Sequence, residues 1–389
     1  MTRRLPAKPL TIGMFTDSYT PEINGVVSSL VSSVRELRRR GHRVIVIAPS
    51  HERADQEADV YRLRSAPFPF YPQFRLAFPL PAKLLADLPQ VPFDVIHSHS
   101  IFFIGCLGAF VAQRRGTPLV MTYHTLWTEY VHYWPLHRGM TRAQIVWLSR
   151  EFCNRCTTVI APTEGAREML VSYGIERPIP IIPSGVDAAV FAQTVREAPR
   201  VRARGGPLAL FVGRLGKEKN IDLVLDAFDL AAAKVPGLRL ILAGSGPHEV
   251  ELRRHAASLR SAARIEFTGG LAQAELGAYY AAADAFIFAS TTETQGLVLL
   301  EAMTHGVPVA AVDCPVSREA VGSDAGLLAD NTADALAGAL VELVTAGDAD
   351  RARRIAAAKN AARPFAIEAL TDKLEDHYAS LCAQAAAAL

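Results

Sequence analysis

Short apolar runs rich in β-branched residues recur through the first half of the chain, at 10–15, 44–48, 95–97, 119–122 and 159–161. Amphipathic stretches separate them. Residues 26–40 show the intervening pattern: Val27, Leu30, Val31, Val34 and Leu37 fall on one helical face, the arginines fall opposite, and Gly41 stands where a C-cap is expected. Apolar runs without alternation fit strands buried on both faces. Strand alternating with helix predicts a parallel sheet covered by helices on both sides.

The pattern then restarts. Strands are predicted at 208–212, 239–243, 265–268, 285–288 and 307–311, with helices around 221–234, 248–259, 273–283 and 296–305. Between the two sets, 188–206 is polar, contains Pro199, Gly205 and Gly206, and reads as a linker. The expected fold is α/β: two Rossmann-like αβα domains, 1–187 and 207–364, with an interdomain cleft. Residues 365–389 form a helix with no strand after it, expected to return to the first domain. Ligands of such sheets bind beyond the carboxyl ends of the strands, and domain interfaces favour pockets. One segment fits neither pattern. Residues 66–83 are dense in Pro and aromatics (Phe68, Phe70, Tyr71, Phe74, Phe78) and include Arg75. They read either as a Pro-rich loop packed on its own domain or as an apolar loop that meets lipid or acceptor.

Composition narrows the function classes. The 389 residues are 50% apolar and 21% charged, an ordinary globular balance with net charge +2. Charge is unevenly placed: residues 1–187 carry 21 Lys+Arg against 15 Asp+Glu, or +6, and the remainder carries 20 against 24, or −4. Arg35, Arg38, Arg39, Arg40 and Arg43 cluster. They form either a solvated helix face or a patch for anionic lipid, worth up to ~1 kcal/mol per charge. No single-strand or recognition-helix pattern accompanies them, which disfavours nucleic acid. Five cysteines do not make a disulfide framework, and the lone Cys153-x-x-Cys156 reads as core thiols in a reducing, cytoplasmic compartment. No apolar segment follows the basic residues 1–9, and the longest apolar run, 101–112, is too short to span a bilayer. Membrane contact is therefore expected to be peripheral, on the inner face.

Four segments carry chemistry. Ser290-Thr-Thr-Glu293-Thr-Gln-Gly296-Leu297-Val298-Leu-Leu-Glu301 follows a strand and opens a helix that Thr292 or Thr294 is placed to cap. Gly296 admits close approach, and the first amides and the helix dipole favour a phosphate there. Glu293 and Glu301 are spaced to hold hydroxyls on either side of a diphosphate; otherwise Glu293 caps the helix and Glu301 is a surface residue. Gly213-Arg214-Leu-Gly-Lys217-Glu-Lys219-Asn220 puts Arg214 and Lys219 at a strand end, where preorganised cations stabilise a departing diphosphate, with Asn220 as a possible cap. Otherwise they are solvated loop charges. Tyr19-Thr-Pro21-Glu-Ile-Asn24-Gly25-Val26 is a glycine-bearing loop suited to phosphate, but it lacks the G-x-G-x-x-G dinucleotide fingerprint, as does Gly244-Ser-Gly246. In Tyr123-His124-Thr-Leu-Trp127-Thr-Glu129-Tyr130, His124 stands at a strand end, as a structural or a catalytic histidine. His97 and His99 complete no metal-ligand set with it.

In this order the four segments resemble the retaining GT-B glycosyltransferases of family 4 over nearly the whole chain. The stretch 124–133 is similar to that of bacterial diacylglycerol glucosyltransferases. Asn24 stands where many members have Gly, and Gln295 where Phe is frequent. The resemblance implies that Arg214 and Lys219 hold the donor diphosphate, assisted by Gly25, Gly296 and the amides of Leu297 and Val298. It implies Glu301 on the ribose, Glu293 on the donor sugar, and His124 beside the sugar's reacting carbon. Asp17, Trp127 and Tyr130 are expected on the acceptor side. No metal or cofactor is expected beyond the nucleotide-sugar co-substrate, since cations neutralise the phosphates and no DxD motif is present.

The expected reaction moves glucose from UDP-glucose to diacylglycerol with α-configuration. Alternatives are another donor, such as GDP-mannose, with phosphatidylinositol or a soluble sugar as acceptor, or a UDP-sugar epimerase or binding protein. An NAD-dependent oxidoreductase is disfavoured by the missing glycine fingerprint.

Overall fold

The computed structural model describes residues 8–68, 71–77, 88–129, 141–203, 205–322 and 324–387. The chain divides into two compact units, Met1–Gly185 with Ile367–Leu389, and Val186–Ala366.

The first unit runs β1 (Thr11–Phe15), α1 (Gly25–Arg39), β2 (Arg43–Pro49), β3 (Val60–Leu63), β4 (Ser65–Phe68), β5 (Tyr71–Ala77), β6 (Val95–Ser98), α2 (Phe103–Arg115), β7 (Leu119–Thr122), α3 (Arg142–Cys153), β8 (Thr158–Ile160) and α4 (Glu164–Ser172). Its main sheet is parallel, in the order β3-β2-β1-β6-β7-β8. β1, β2, β6 and β7 are buried nearly throughout, which is why each reads as an unbroken apolar run. Asn24 caps α1 by accepting from the Val27 amide at 3.0 Å.

The second unit repeats the plan: α5 (Ala188–Val195), α6 (Ala198–Arg202), β9 (Leu208–Val212), α7 (Ile221–Lys234), β10 (Arg239–Ala243), α8 (Glu249–Ser258), β11 (Ile265–Gly269), α9 (Leu276–Ala282), β12 (Ala285–Phe288), α10 (Leu297–Thr304), β13 (Val309–Val312), α11 (Pro315–Val321), β14 (Gly326–Ala329), α12 (Ala333–Thr345) and α13 (Asp348–Ala362). The sheet order β11-β10-β9-β12-β13-β14 matches that of the first sheet, again all parallel. Each sheet has a separate apolar cluster on either face, so each unit is an αβα sandwich. Finally α14 (Ile367–Ala387) joins the first unit, where Leu374, Tyr378 and Leu381 pack with Leu30, Leu37 and the underside of β1 and β2.

Several expectations need correction. Residues 188–206 are not an open linker: they include α5 and α6 of the second unit. Asp187 caps α5 through the Ala189 amide at 3.1 Å, and Phe191 is fully buried. β3 and β14 were not predicted; both are short edge strands with partly exposed positions. The described part of 66–83 falls in an antiparallel hairpin, β4 with β5, rather than a loop. Phe70 and Phe78 lie outside the described residues. Arg75 is buried there and makes a bidentate pair with Glu52 at 2.7 and 3.0 Å, so its charge is spent inside the fold. Cys153 and Cys156 are buried unpaired thiols, and burial pushes the Cys153 thiol up to about 12.

Candidate functional site

In both sheets the strand order reverses beside the first strand, between β1 and β6 and between β9 and β12. Loops that leave those strands are where open α/β sheets take ligands.

In the second unit these loops are Gly213–Asn220, after β9, and Ser290–Gly296, after β12. Side chains tie them together. The Ser290 and Thr292 hydroxyls donate to the Glu218 carbonyl at 3.1 and 3.3 Å. The Lys219 ammonium pairs with Glu293, and the Arg214 guanidinium with Glu218. The four charged side chains are largely shielded, at 15–18% exposure for Arg214, Lys219 and Glu293 and 2% for Glu218. Such a set is held in place before any ligand arrives. The loop after β10 braces it. The Gly213 amide donates to Ala243 and the Leu215 amide to Ser245, both at 3.0 Å. A Cβ on Gly244 would lie 1.8 Å from the Gly213 carbonyl, so Gly244 serves this close backbone contact.

Helix α10 begins at Gly296, which has left-handed φ of +68° and no side chain to cap with. Thr292 therefore does not cap it; its hydroxyl serves Glu218 instead. Neither does Glu293, whose carboxylate pairs with Lys219. The Leu297 and Val298 amides have no intrahelical acceptor and lie at the positive end of the helix dipole. Asn220 also departs from the expected cap, donating to Ala289 and Asn331 at 3.4 and 3.1 Å. Glu301 is not a surface residue. It is 4% exposed and accepts from the Tyr280 hydroxyl at 2.7 Å and the Gln273 amide at 3.3 Å. Burial raises its pKa to about 7.

The loop after β1 in the first unit is acidic. Asp17 is buried, accepts from Ser100 at 2.5 Å and from the Ile104 amide at 3.2 Å, and is raised by burial to about 6. Glu22 is raised by burial to about 7 and takes the Ser18 hydroxyl, which accepts from Asn24 at 2.9 Å. A Cβ on Gly25 would meet no atom within 4 Å, so packing does not require glycine there. His124, half-buried at the end of β7, shares a 2.9 Å hydrogen bond with His99, and burial lowers its pKa to about 4. Trp127 packs edge-on against Phe102 with ring centroids 4.9 Å apart. Tyr130 lies outside the described residues.

Comparison with known proteins shows the family. Residues 23–190 match the family described as Glycosyltransferase Family 4, and residues 196–361 match Glycosyl transferases group 1. The chain belongs to glycosyltransferase family 4. It is 33% identical over 355 residues to the alpha-monoglucosyldiacylglycerol synthase of Streptococcus pneumoniae, covering 87% of this chain and 79% of that one. It is 31% identical over 382 residues to a GDP-mannose-dependent alpha-mannosyltransferase of Mycolicibacterium smegmatis, covering 95% and 97%. The crystal structure of Anabaena HepE in complex with UDP-glucose superimposes with a TM-score of 0.74 at 19% identity, covering 95% of this chain and all of that one. The fold is thus GT-B, and this family 4 glycosyltransferase is a hexosyltransferase whose relatives include makers of glycolipids.

Two further features of this glycosyltransferase differ from what the sequence suggested. The arginine cluster is mostly neutralised inside the unit. Arg38 pairs with Glu57, Arg39 with Glu36, Arg43 with Asp59, and Arg40 with Glu36, Asp372 and Glu375. Its main work is to join α1 to α14 and to the β2–β3 connection, which weakens the case for a free cationic patch. And three partners of the candidate site went unread in the sequence: Glu218, Tyr280 and Gln273. Glu218 was legible as the acid between the two cations. Tyr280 and Gln273 reach Glu301 only through the fold. Among the described residues no helix is long and apolar enough to cross a membrane, and no group of three or more His, Cys, Asp or Glu is arranged to hold a metal.

Proposed function

We propose that this enzyme transfers a hexose, with retention, from a nucleotide-diphosphate sugar to a lipid hydroxyl, the best-supported pair being UDP-glucose and 1,2-diacylglycerol at the inner membrane face. The observation that carries this reading is the Arg214–Glu218 and Lys219–Glu293 framework beside the strand-order reversal of the second sheet. In this proposal Arg214 and Lys219 exchange carboxylate partners for the donor diphosphate. Gly296 and the Leu297 and Val298 amides take a phosphate oxygen, and Gly25 is assigned to the donor phosphate as well. Glu293, released from Lys219, accepts from hydroxyls of the donor sugar. Glu301, oriented by Tyr280 and Gln273, keeps lone pairs for ribose hydroxyls.

The sugar–phosphate bond breaks as the bond from sugar to acceptor oxygen forms on the same face. The acceptor's proton passes to the departing phosphate oxygen. Charge grows on that phosphate, where fixed cations contribute most. Asp17 and Trp127, with Tyr130, are assigned to the acceptor side, and His124 to the donor sugar. Because Arg214 and Lys219 supply the positive charge, turnover is proposed to need no added metal.

A donor-by-acceptor assay read by product mass tests the proposal: UDP-glucose with diacylglycerol vesicles gives monoglucosyldiacylglycerol, at a rate unchanged by EDTA. The second reading, GDP-mannose as donor, is favoured by the long alignment with the mannosyltransferase and gives a mannosyl product instead. No product from any UDP- or GDP-sugar with lipid acceptors ends both.

A further inference from the structure

Three histidines line the carboxyl ends of β6 and β7 in the first unit. His97 bonds the Tyr378 hydroxyl through Nδ1 at 2.5 Å and the Thr122 hydroxyl through Nε2 at 2.7 Å. The His97 and His99 rings lie 4.1 Å apart. His99 bonds His124 from Nδ1 to Nε2 at 2.9 Å, and its own Nε2 lies 3.2 Å from the Met14 thioether sulfur. The His99 and His124 rings are close to parallel, at 21°.

These contacts differ in what they allow. A hydroxyl donates or accepts, so Thr122 and Tyr378 leave either tautomer open to His97. A thioether sulfur only accepts. The Met14 contact therefore requires a proton on His99 Nε2. Burial holds His99 neutral, its pKa well below the ordinary value, with His97 and His124 as further like-charge neighbours. A neutral ring carries one proton, so His99 Nδ1 is an acceptor. The 2.9 Å bond is then made by the proton of His124 Nε2, and the lone pair of His124 sits on Nδ1.

We propose that His99 is a positioning residue, and that Met14 sets the tautomer of His124 through it, so that Nδ1 of His124 is an acceptor toward any donor that reaches it. This rests on the placement of His124 beside the donor sugar proposed above. The device is apolar at its far end and needs no charged group, which suits a buried site where an uncompensated charge is costly.

The test begins with uniformly ¹⁵N-histidine-labelled full-length protein at neutral pH. Two-bond ¹⁵N–¹H correlations distinguish Nδ1–H from Nε2–H without any turnover. Both His99 and His124 are expected as Nε2–H tautomers. A His124 ring protonated on Nδ1 overturns the proposal, whatever the enzyme's substrate proves to be. Met14→Leu keeps the apolar volume but removes the acceptor, and is expected to give His99 a mixed tautomer signal; an unchanged signal overturns the role of Met14. For activity, His99→Asn keeps an acceptor near the Nδ1 position, whereas His99→Leu removes it. The expected result is a loss of about tenfold in kcat, the size of one hydrogen bond, for His99→Leu, with His99→Asn restoring most of it. Equal losses in the two variants, with folded spectra, overturn the positioning role. If the tautomers are as stated and no sugar is transferred, the substrate reading has failed and the histidine assignment stands.

Discussion

The two sheets share one strand order, yet the loops that leave their first strands are electrostatic opposites. After β9 the loop carries Arg214 and Lys219, both charged and already engaged by carboxylates. After β1 the corresponding loop carries Asp17 and Glu22, whose burial pushes them toward neutrality at about 6 and about 7. The histidines beside that loop are pushed the other way, toward their neutral form. One topology thus presents cations held by carboxylates in one unit and carboxyls with raised pKa values in the other. In the proposed reaction the first takes the donor diphosphate and the second faces the acceptor. Topology fixes where ligands arrive, and side-chain charge decides which.

The contrast breaks most directly if the cations of the second unit are removed. Arg214→Ala with Lys219→Ala is expected to lower turnover at least about a hundredfold, with far-UV circular dichroism unchanged. A near-normal rate ends the assignment of the diphosphate to this loop. Glu293→Ala is next, also expected near a hundredfold by the same measure. Here the loss should fall on kcat, since freeing Lys219 from its carboxylate partner leaves the diphosphate contact available; a pure rise in donor KM would show that Glu293 only holds the loop.

Two glycines sharpen the comparison further. Gly296→Val forces a left-handed backbone and crowds Leu299 and Val316, costing about 1–2 kcal/mol and lowering Tm by several degrees. Gly25→Val meets open space and is expected to leave Tm unchanged while weakening donor binding in a titration. A fall in Tm of equal size for both would show that Gly25, too, is there for packing.

The smallest effect is on pH. Asp17 and Glu22 have folded pKa values above their ordinary 3.8 and 4.5, so the folded state binds more protons than the unfolded state across that window. Their contribution to stability therefore falls as pH rises from about 4 to about 7, against the opposite contribution of the histidines with lowered pKa values. Asp17→Asn with Glu22→Gln should flatten that slope in urea midpoints, by at most the two protons these groups bind. A slope unaltered by the pair would place the acidic loop in solvent.

How far the sequence anticipated this depended on the range of the signal. β9, β10 and β12 are buried on both faces, and their apolar runs mark them without ambiguity. β3 alternates weakly, and β14 offers only two large apolar residues, Leu327 and Leu328, both partly exposed, so neither stands out from loop. Residues 188–206 look like a linker because of Pro199, Gly205 and Gly206, while the helix shows only in the Asp187 cap and in Phe191. Within the site, Arg214, Lys219 and Glu293 were legible because motif residues near a strand end meet by local geometry. Tyr280 and Gln273 reach Glu301 from 21 and 28 positions away, and nothing in local pattern announces such a bond. The arginine cluster misled for a related reason. Its partners Asp372 and Glu375 are more than 330 residues distant.

That same distance has a consequence for biosynthesis. Tyr378 bonds His97, and Leu374 and Leu381 close the apolar layer beneath β1 and β2. A nascent chain exposes that layer until α14 leaves the ribosome, after the intervening Val186–Ala366. At ordinary elongation rates this is roughly ten to forty seconds. The unit whose strands are made first is therefore the one completed last, and a premature stop just before Ile367 would leave that apolar layer uncovered.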